Sequence, residues 1–458
     1  MHFTLAYPDI IIILLYLAVV LYVGLVASRR KSNGSKVDFI LAGRKLTVPL
    51  FVATLVATWY GNILGVGEFV YNYGIVAWVC FGIVYYIAAI LYAFLVAGKI
   101  RKSGTFTIPE KMNEKYGQSA GVISSLIVLI ITIPAAYVLM LGILLQLFTG
   151  WNLTLSIIIG TAVSLLYIYH GGFKSDVLTN AVQFFIMYAG FGALLVFTLL
   201  QYGSPLTLFD KLPANHVKVF GGFSWTYILA WFFIAFQTFV DPSFYQRSLA
   251  AETPQTAKKG ILISVAFWLL FDIMTLITGL YAKVYFTNIE AVMAYPALGE
   301  RVLPVVWKGL FITALLSTVM STLDSYAFLS ATTIGNDILK KVFKTRKTAD
   351  LTKVGLIITG VFSILLALIL PSPIEIVFRT ASVAVPGLIV PLIIAYNSKL
   401  KLIPGFVPVI MLVSSTVAFL WLMLQSYGLA SHPILQIEPM LAGLLVSLVL
   451  ALAAVRRR

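Results

Sequence analysis

The sequence predicts an all-α integral membrane protein that crosses the bilayer about thirteen times. Three observations carry that expectation. Charged residues make up 11% of the 458-residue chain, against about 25% in an ordinary soluble domain. The mean hydropathy is +0.98. The apolar residues also fall in long blocks, several exceeding the roughly 20 residues that carry a helix across about 30 Å of hydrocarbon. Backbone groups in lipid must bond internally, so blocks of that length are helices. The alternating ten-residue strands of an outer-membrane barrel are missing.

The first block, 9–28, has no basic stretch before it and no small-residue cleavage site after it. It runs into Arg29, Arg30 and Lys31 and reads as a retained span, not a signal peptide. Twelve more follow near 47–72, 75–99, 119–148, 152–170, 177–201, 223–245, 257–282, 304–335, 352–371, 375–397, 404–426 and 434–455. The polar segments 29–46, 100–118, 202–222, 284–303 and 336–352 each join two spans, and no linker divides the chain. The whole reads as one membrane domain. Residues 1–46 form a peripheral helix and loop, 47–201 and 223–397 two five-helix units, and 404–458 two peripheral helices.

The net charge of +15 would suggest a nucleic-acid partner in a soluble protein. Here it reports topology. With the N-terminus outside and the C-terminus inside, 26 of the 32 basic residues fall on the cytoplasmic side, Arg247, Lys258 and Lys259 among them. The exceptions are Lys211, Lys218, Lys283, Arg301, Lys308 and Arg379. The expected partners are the lipid bilayer of the cytoplasmic membrane and a small-molecule solute, with no nucleic acid and with function as a monomer. The single cysteine, Cys80, permits no intramolecular disulfide. His2, His170, His216 and His432 have no ligand spacing. No GxxxxGK[ST] loop supports an ATP-driven pump. No cofactor is expected.

Two spans look interrupted. The second holds Gly61, Asn62, Gly65, Gly67 and Glu68, and the seventh holds Gln237, Asp241 and Pro242. Glycine and polar residues at membrane depth suit unwound backbone that lines a cavity, a device of inverted-repeat transporters. Close packing of helices is the alternative. In the ninth span Thr318, Ser321 and Thr322 share one helix face. Their hydroxyls, with a carbonyl freed nearby, would offer Na⁺ the neutral oxygens that a hard cation wants. The alternative is that they bond back to the preceding turn.

Glu68, Asp241, Asp272 and Asp324 are intramembrane carboxylates. Each is a functional candidate, because a charge in the bilayer costs about 2.5–3.5 kcal/mol or more. Asp324 follows the hydroxyl patch closely, while Asp241 and Asp272 are expected near the interfaces. Trp59, Tyr60, Tyr71, Tyr137, Trp231 and Phe236 could enclose a solute or a quaternary ammonium, or simply pack. The solute-binding candidates are Trp59, Asn62, Glu68, Tyr71, Trp231 and Gln237.

At several motifs the chain resembles the sodium:solute symporter family of sodium-coupled proline, pantothenate, glucose and choline carriers. Asp38–Arg44 (DFILAGR) is similar to the family's D-F-x-L-A-G-R, and Ala57-Thr58-Trp59-Tyr60-Gly61 to A-T-W-x-G. Thr107-Ile108-Pro109-Glu110 with Tyr116-Gly117 resembles T-I-P-E before R-F/Y-G. Gly171-Gly172 through Thr179-Asn180-Ala181-Val182-Gln183 resembles G-G-x₆-T-D-x-x-Q, and Gln246–Ala251 resembles Q-R-x-L-A-A. Met320–Ser325 and Asn336-Asp337-Ile338 resemble the eighth core helix and its end. The resemblance implies a leucine-transporter-type fold with a five-plus-five inverted repeat. It also implies a sodium site made by the hydroxyls of Ser321 and Thr322 and the carbonyls of Ala57, Tyr60 and Thr318. One departure stands out. The family's Asp in T-D-x-x-Q, thought to help sodium reach or leave the cytoplasm, is Asn180 here, and Asp176 four residues earlier is the candidate substitute. Asp176, Asn180 and Asp324 thus form the expected ion path.

The function expected is sodium-driven symport of a small polar organic solute, such as an amino acid, an organic cation or a carboxylate. The alternatives are proton coupling through Glu68 or Asp324, and a channel or non-transporting sensor. No His/Asp/Cys constellation supports an enzyme.

Overall fold

The computed structural model describes residues 4–26, 35–343, 348–369, 373–397, 399–426 and 437–457. Arg29, Arg30, Lys31, His2 and His432, named above, lie outside them, as do Lys344, Arg346, Lys347 and Arg458, which are among the 26 basic residues counted as cytoplasmic. Among the described residues nine helices are long and apolar enough to cross a membrane. A tenth span is the bent pair Val48–Trp59 and Ile63–Tyr73, which meet at 58°. The shorter apolar helices Arg379–Ala395 and Pro439–Ala454 and a division of the longest helix complete the expected thirteen.

That longest helix, Leu153–Tyr202, has 50 residues. Drawn straight it would measure about 75 Å at 1.5 Å per residue, against about 30 Å of hydrocarbon. Gly172 divides it. Its φ of 59° and ψ of −147° lie outside the helical region, and an added Cβ would stand 2.6 Å from the Phe39 carbonyl oxygen. Only glycine takes that backbone without strain. The expected interruption of the seventh span is present: Trp225–Ala235 tightens into a 3₁₀ turn at Phe236–Phe239 and restarts as Pro242–Ala250. A third break divides the span expected near 119–148. Gln118–Thr132 stops at Ile133, with Ala135–Thr149 following. Pro134 explains it, since proline lacks an N–H and pushes the residue before it out of the α region.

Loops gather at two opposite ends. At one, Arg44 donates to the carbonyls of Gly104 and Thr105, Arg101 bonds the carbonyls of Ala251 and Glu252, and Leu46 bridges Ala251. At the other, Ile75 N–H donates to the His216 carbonyl at 2.9 Å, and Tyr281 Oη to the Gly203 carbonyl. Among the described residues the basic segments around 44 and 101 thus sit together, and the loops around 75, 203 and 216 meet elsewhere. Asp9 ties the first helix to the ninth span: its Oδ1 accepts from the N–H groups of Val306 and Gly309 at 2.8 and 2.9 Å, capping helix Trp307–Thr332. A short antiparallel pair, Leu400–Leu402 with Val455–Arg457, joins a loop to the last helix.

Candidate ion and solute sites

The break after Trp59 leaves the end of helix Val48–Trp59 beside the ninth span. Gly61 makes the approach close, for a Cβ there would stand 2.4 Å from Thr322 Cβ. Ser321 Oγ lies 2.8 Å from the Ala57 carbonyl oxygen and 3.0 Å from that of Thr318. Thr322 Oγ1 lies 2.8 Å from the Thr58 carbonyl oxygen and 3.2 Å from that of Thr318. All these side chains are buried. Each hydroxyl carries one proton and shares it between two carbonyls. The five oxygens are of the neutral kind that a hard cation takes. Ser321, Thr322, Ala57 and Thr318 therefore come together as expected. The Tyr60 side chain points away from the cluster, its hydroxyl reaching the Trp268 carbonyl and Asp272 Oδ1, while the part expected to bind sodium is its backbone carbonyl. Thr58, absent from the expected set, supplies the carbonyl that Thr322 meets.

Directly behind this cluster lies Arg247, fully buried. This corrects its assignment to a cytoplasmic loop. Its guanidinium donates to Thr54 Oγ1, Thr58 Oγ1, Ser325 Oγ and Ser243 Oγ and pairs with Asp176 Oδ2 at 3.5 Å. Asp176 Oδ1 accepts from Ser325 at 2.7 Å and from Asn180 Nδ2 at 3.1 Å. Asp176 and Asn180 thus share one network, as their spacing predicted. Asp324 stands apart from it. It is fully buried, bonded by Tyr167 Oη, and its Oδ1 has no hydrogen-bond partner.

On the other side of the broken helix a cavity of about 190 Å³ opens. That is below the roughly 300–1,000 Å³ of pockets for drug-sized ligands and suits a small solute. Trp59, Tyr60 and Asn62 from the second span, Trp78, Phe81 and Tyr85 from the third, and Tyr137, Gln237, Asp241, Asp272 and Tyr326 line it. A π-helical turn at Val79–Ile83 carries Phe81 and Gly82 to its wall, a distortion common at functional sites. Trp59, Asn62 and Gln237 are where the sequence led one to look. Glu68, Tyr71 and Trp231 are not. Glu68 lies off the lining, Tyr71 Oη donates to the Phe286 carbonyl, and Trp231 packs against Phe69 and Phe81. Asp241 and Asp272, expected near the interfaces, instead face the cavity. Asp241 caps helix Pro242–Ala250 through Ser243 N–H at 2.7 Å and accepts from Tyr326 at 2.9 Å.

Broken helices around a central cavity define a class, the leucine-transporter-type membrane fold. The substrate-bound, outward-open structure of a Na⁺-coupled sialic acid symporter superposes with a TM-score of 0.80 at 15% identity, covering 99% of each chain. A nucleobase-cation-symport-1 family transporter in a closed conformation gives 0.58 at 16% identity, covering 90% of this chain and 93% of that one. The model of the sodium:solute symporter family matches residues 39–396, and the chain belongs to that family. The high-affinity choline transporter 1 of Drosophila melanogaster is 24% identical over 387 residues, covering 79% of this chain and 62% of that protein. The sodium/glucose cotransporter 4 of Danio rerio is 27% identical over 421 residues, covering 77% and 61%. The human sodium/myo-inositol cotransporter is 24% identical over 413 residues, covering 76% and 56%. The chain thus spans about three fifths of the length of the first two and less of the third.

Proposed function

We propose that the protein takes up a small polar organic solute by coupling it to inward sodium flow across the cytoplasmic membrane, with its N-terminus outside. The observation that carries this reading is the five-oxygen cluster of Ala57, Thr58, Thr318, Ser321 and Thr322, joined through one broken helix to the cavity. Family membership and the transporter names of its relatives support it. Sodium binds at the cluster and holds the second and ninth spans together. The solute then enters the cavity beside Trp59, Asn62 and Gln237. The two five-helix units, 47–201 and 223–397, move against each other to expose both to the cytoplasm, and the Asp176–Asn180 network lies on the ion's way out. Sodium shifts that equilibrium only through its different affinity for the two states.

The test is thermal stability of the purified chain in Na⁺ against K⁺ at equal ionic strength, since a ligand of the folded state raises the melting temperature. A sodium-specific rise is expected. In Ser321→Ala and Thr322→Ala the apparent sodium affinity should fall about tenfold or more, the effect of losing about 1.4 kcal/mol from one oxygen ligand. Equal melting in both salts, with unchanged behaviour of both variants, sinks the reading. One observation favours a second reading, proton coupling: Asp324 is a buried carboxylate with a free oxygen and no cationic neighbour bonded to it. Uptake driven by a pH gradient without sodium, and lost in Asp324→Asn, would select it.

A further inference from the structure

Asp272 sits near the middle of helix Pro254–Tyr285 with its carboxylate on the cavity wall. Tyr60 Oη donates to its Oδ1 at 2.9 Å, and Tyr86 Oη bonds its Oδ2. Trp78 Nε1 donates in turn to Tyr86 Oη at 3.3 Å. An ionised carboxylate offers about four lone-pair sites. Two hydroxyls fill half of them and hold the group rigid. Among the described lining residues there is no lysine, arginine or histidine. The other lining carboxylate, Asp241, is compensated by the N-terminus of its own helix and by Tyr326. Asp272 has its two tyrosine hydroxyls but neither a helix N-terminus nor, among the described lining residues, a cation, and a charge without a counter-charge at membrane depth is costly.

We propose that Asp272 is the counter-ion for a positively charged nitrogen on the transported solute. The inference rests on the reading of this cavity as the solute site and names the class of solute it takes. The rest of the wall agrees. Trp59, Trp78, Phe81 and Tyr85 present aromatic rings, which attract an organic cation through their π faces. A bare sodium ion needs several converging oxygens, and the cavity is of solute size. The ammonium of a free organic cation and that of a zwitterionic amino acid share this chemistry.

The experiment is a melting-temperature titration of the full chain in saturating Na⁺. The probes are choline, its uncharged carbon isostere 3,3-dimethyl-1-butanol, proline, its nitrogen-free analogue cyclopentanecarboxylic acid, glucose and myo-inositol. Choline or proline should stabilise the protein, and which of them does so separates an organic cation from a zwitterion. Its nitrogen-free analogue should not. In Asp272→Asn the solute shift should weaken about thirtyfold or more, as expected for an unpaired buried charge, with Asp272→Glu recovering part of it. The sodium shift without solute should survive in Asp272→Asn, which also shows that the variant folds. Stabilisation by glucose, by myo-inositol or by a nitrogen-free analogue overturns the proposal, as does the absence of any shift with choline and proline. Loss of the sodium shift in Asp272→Asn would make the carboxylate an ion ligand, and the proposal would fail. A wild-type protein indifferent to sodium but stabilised by choline would overturn sodium coupling and leave Asp272 in its role.

Discussion

Arg247 is the residue with the most at stake. It holds hydroxyls from two spans and the Asp176 carboxylate in one buried set of bonds. A buried ion pair adds little against an apolar replacement, but removing one partner leaves the other charge stranded and costs about 3–5 kcal/mol. Arg247→Ala should therefore unfold at a much lower temperature than the parent. The double variant Arg247→Ala/Asp176→Ala should regain part of the loss. If the single and double variants melt alike, the pair is not what secures this region. The sequence contained the residue inside a recognisable motif, yet charge counting sent it to the cytoplasm. A one-dimensional rule cannot see that Pro242–Ala250 is a half-helix turned into the core, where a guanidinium finds enough oxygens to stay charged. Asp272 was misplaced for a related reason. Hydropathy says how deep a carboxylate lies in the chain's plot, not which face of the helix carries it. The nearness of Ser321 and Thr322 to Thr318 was legible because helical spacing puts them three and four residues along the same face, while the choice of a sodium role for them over bonding back to the preceding turn came only with the family resemblance.

At the scale of elements, the breaks were legible where glycine and polar residues clustered, at 60–62 and 236–241. The break at Ile133 was not, although Pro134 stood in plain view, because proline in a membrane helix often only bends it. That break brings Ile133 and Tyr137 to the cavity wall. The loop 203–224 has its own anchor. His216 is buried against the second span, with Nε2 3.1 Å from the Tyr71 carbonyl oxygen. Burial pushes its pKa below the ordinary 6.5. The folded chain then binds fewer protons than the unfolded chain just below that pH, so the anchor's contribution is full above 6.5 and falls as the medium is acidified. Hydrogen exchange across 203–224, normalised to the intrinsic rate, which itself slows as pH falls, should show an excess of opening at about pH 5 over about pH 7.5. In His216→Gln that excess should vanish; an unchanged excess would place the sensitive group elsewhere.

For the whole molecule, the alternation of basic and sparsely charged loops was the most legible feature, since it needs only the order of apolar blocks. The gathering of Arg44, Arg101 and residues 104–105 and 251–252 at one end agrees with it. Cys80 is buried, so cysteines introduced at exposed sites can be labelled against a silent background. Lys211→Cys should react with a membrane-impermeant maleimide on intact cells, and Lys102→Cys only after permeabilisation; the reverse pattern would invert the proposed orientation. One feature of the second span reaches across both proposed sites. Within six residues, Ala57–Asn62, a single strip of chain contributes carbonyls to the oxygen cluster and side chains to the cavity. Neither occupant can settle without acting on the strip the other uses. Thermodynamic reciprocity then fixes a symmetry that no drawing of the cycle displays. Whatever factor sodium adds to the affinity for the solute, the solute must add the same factor to the affinity for sodium.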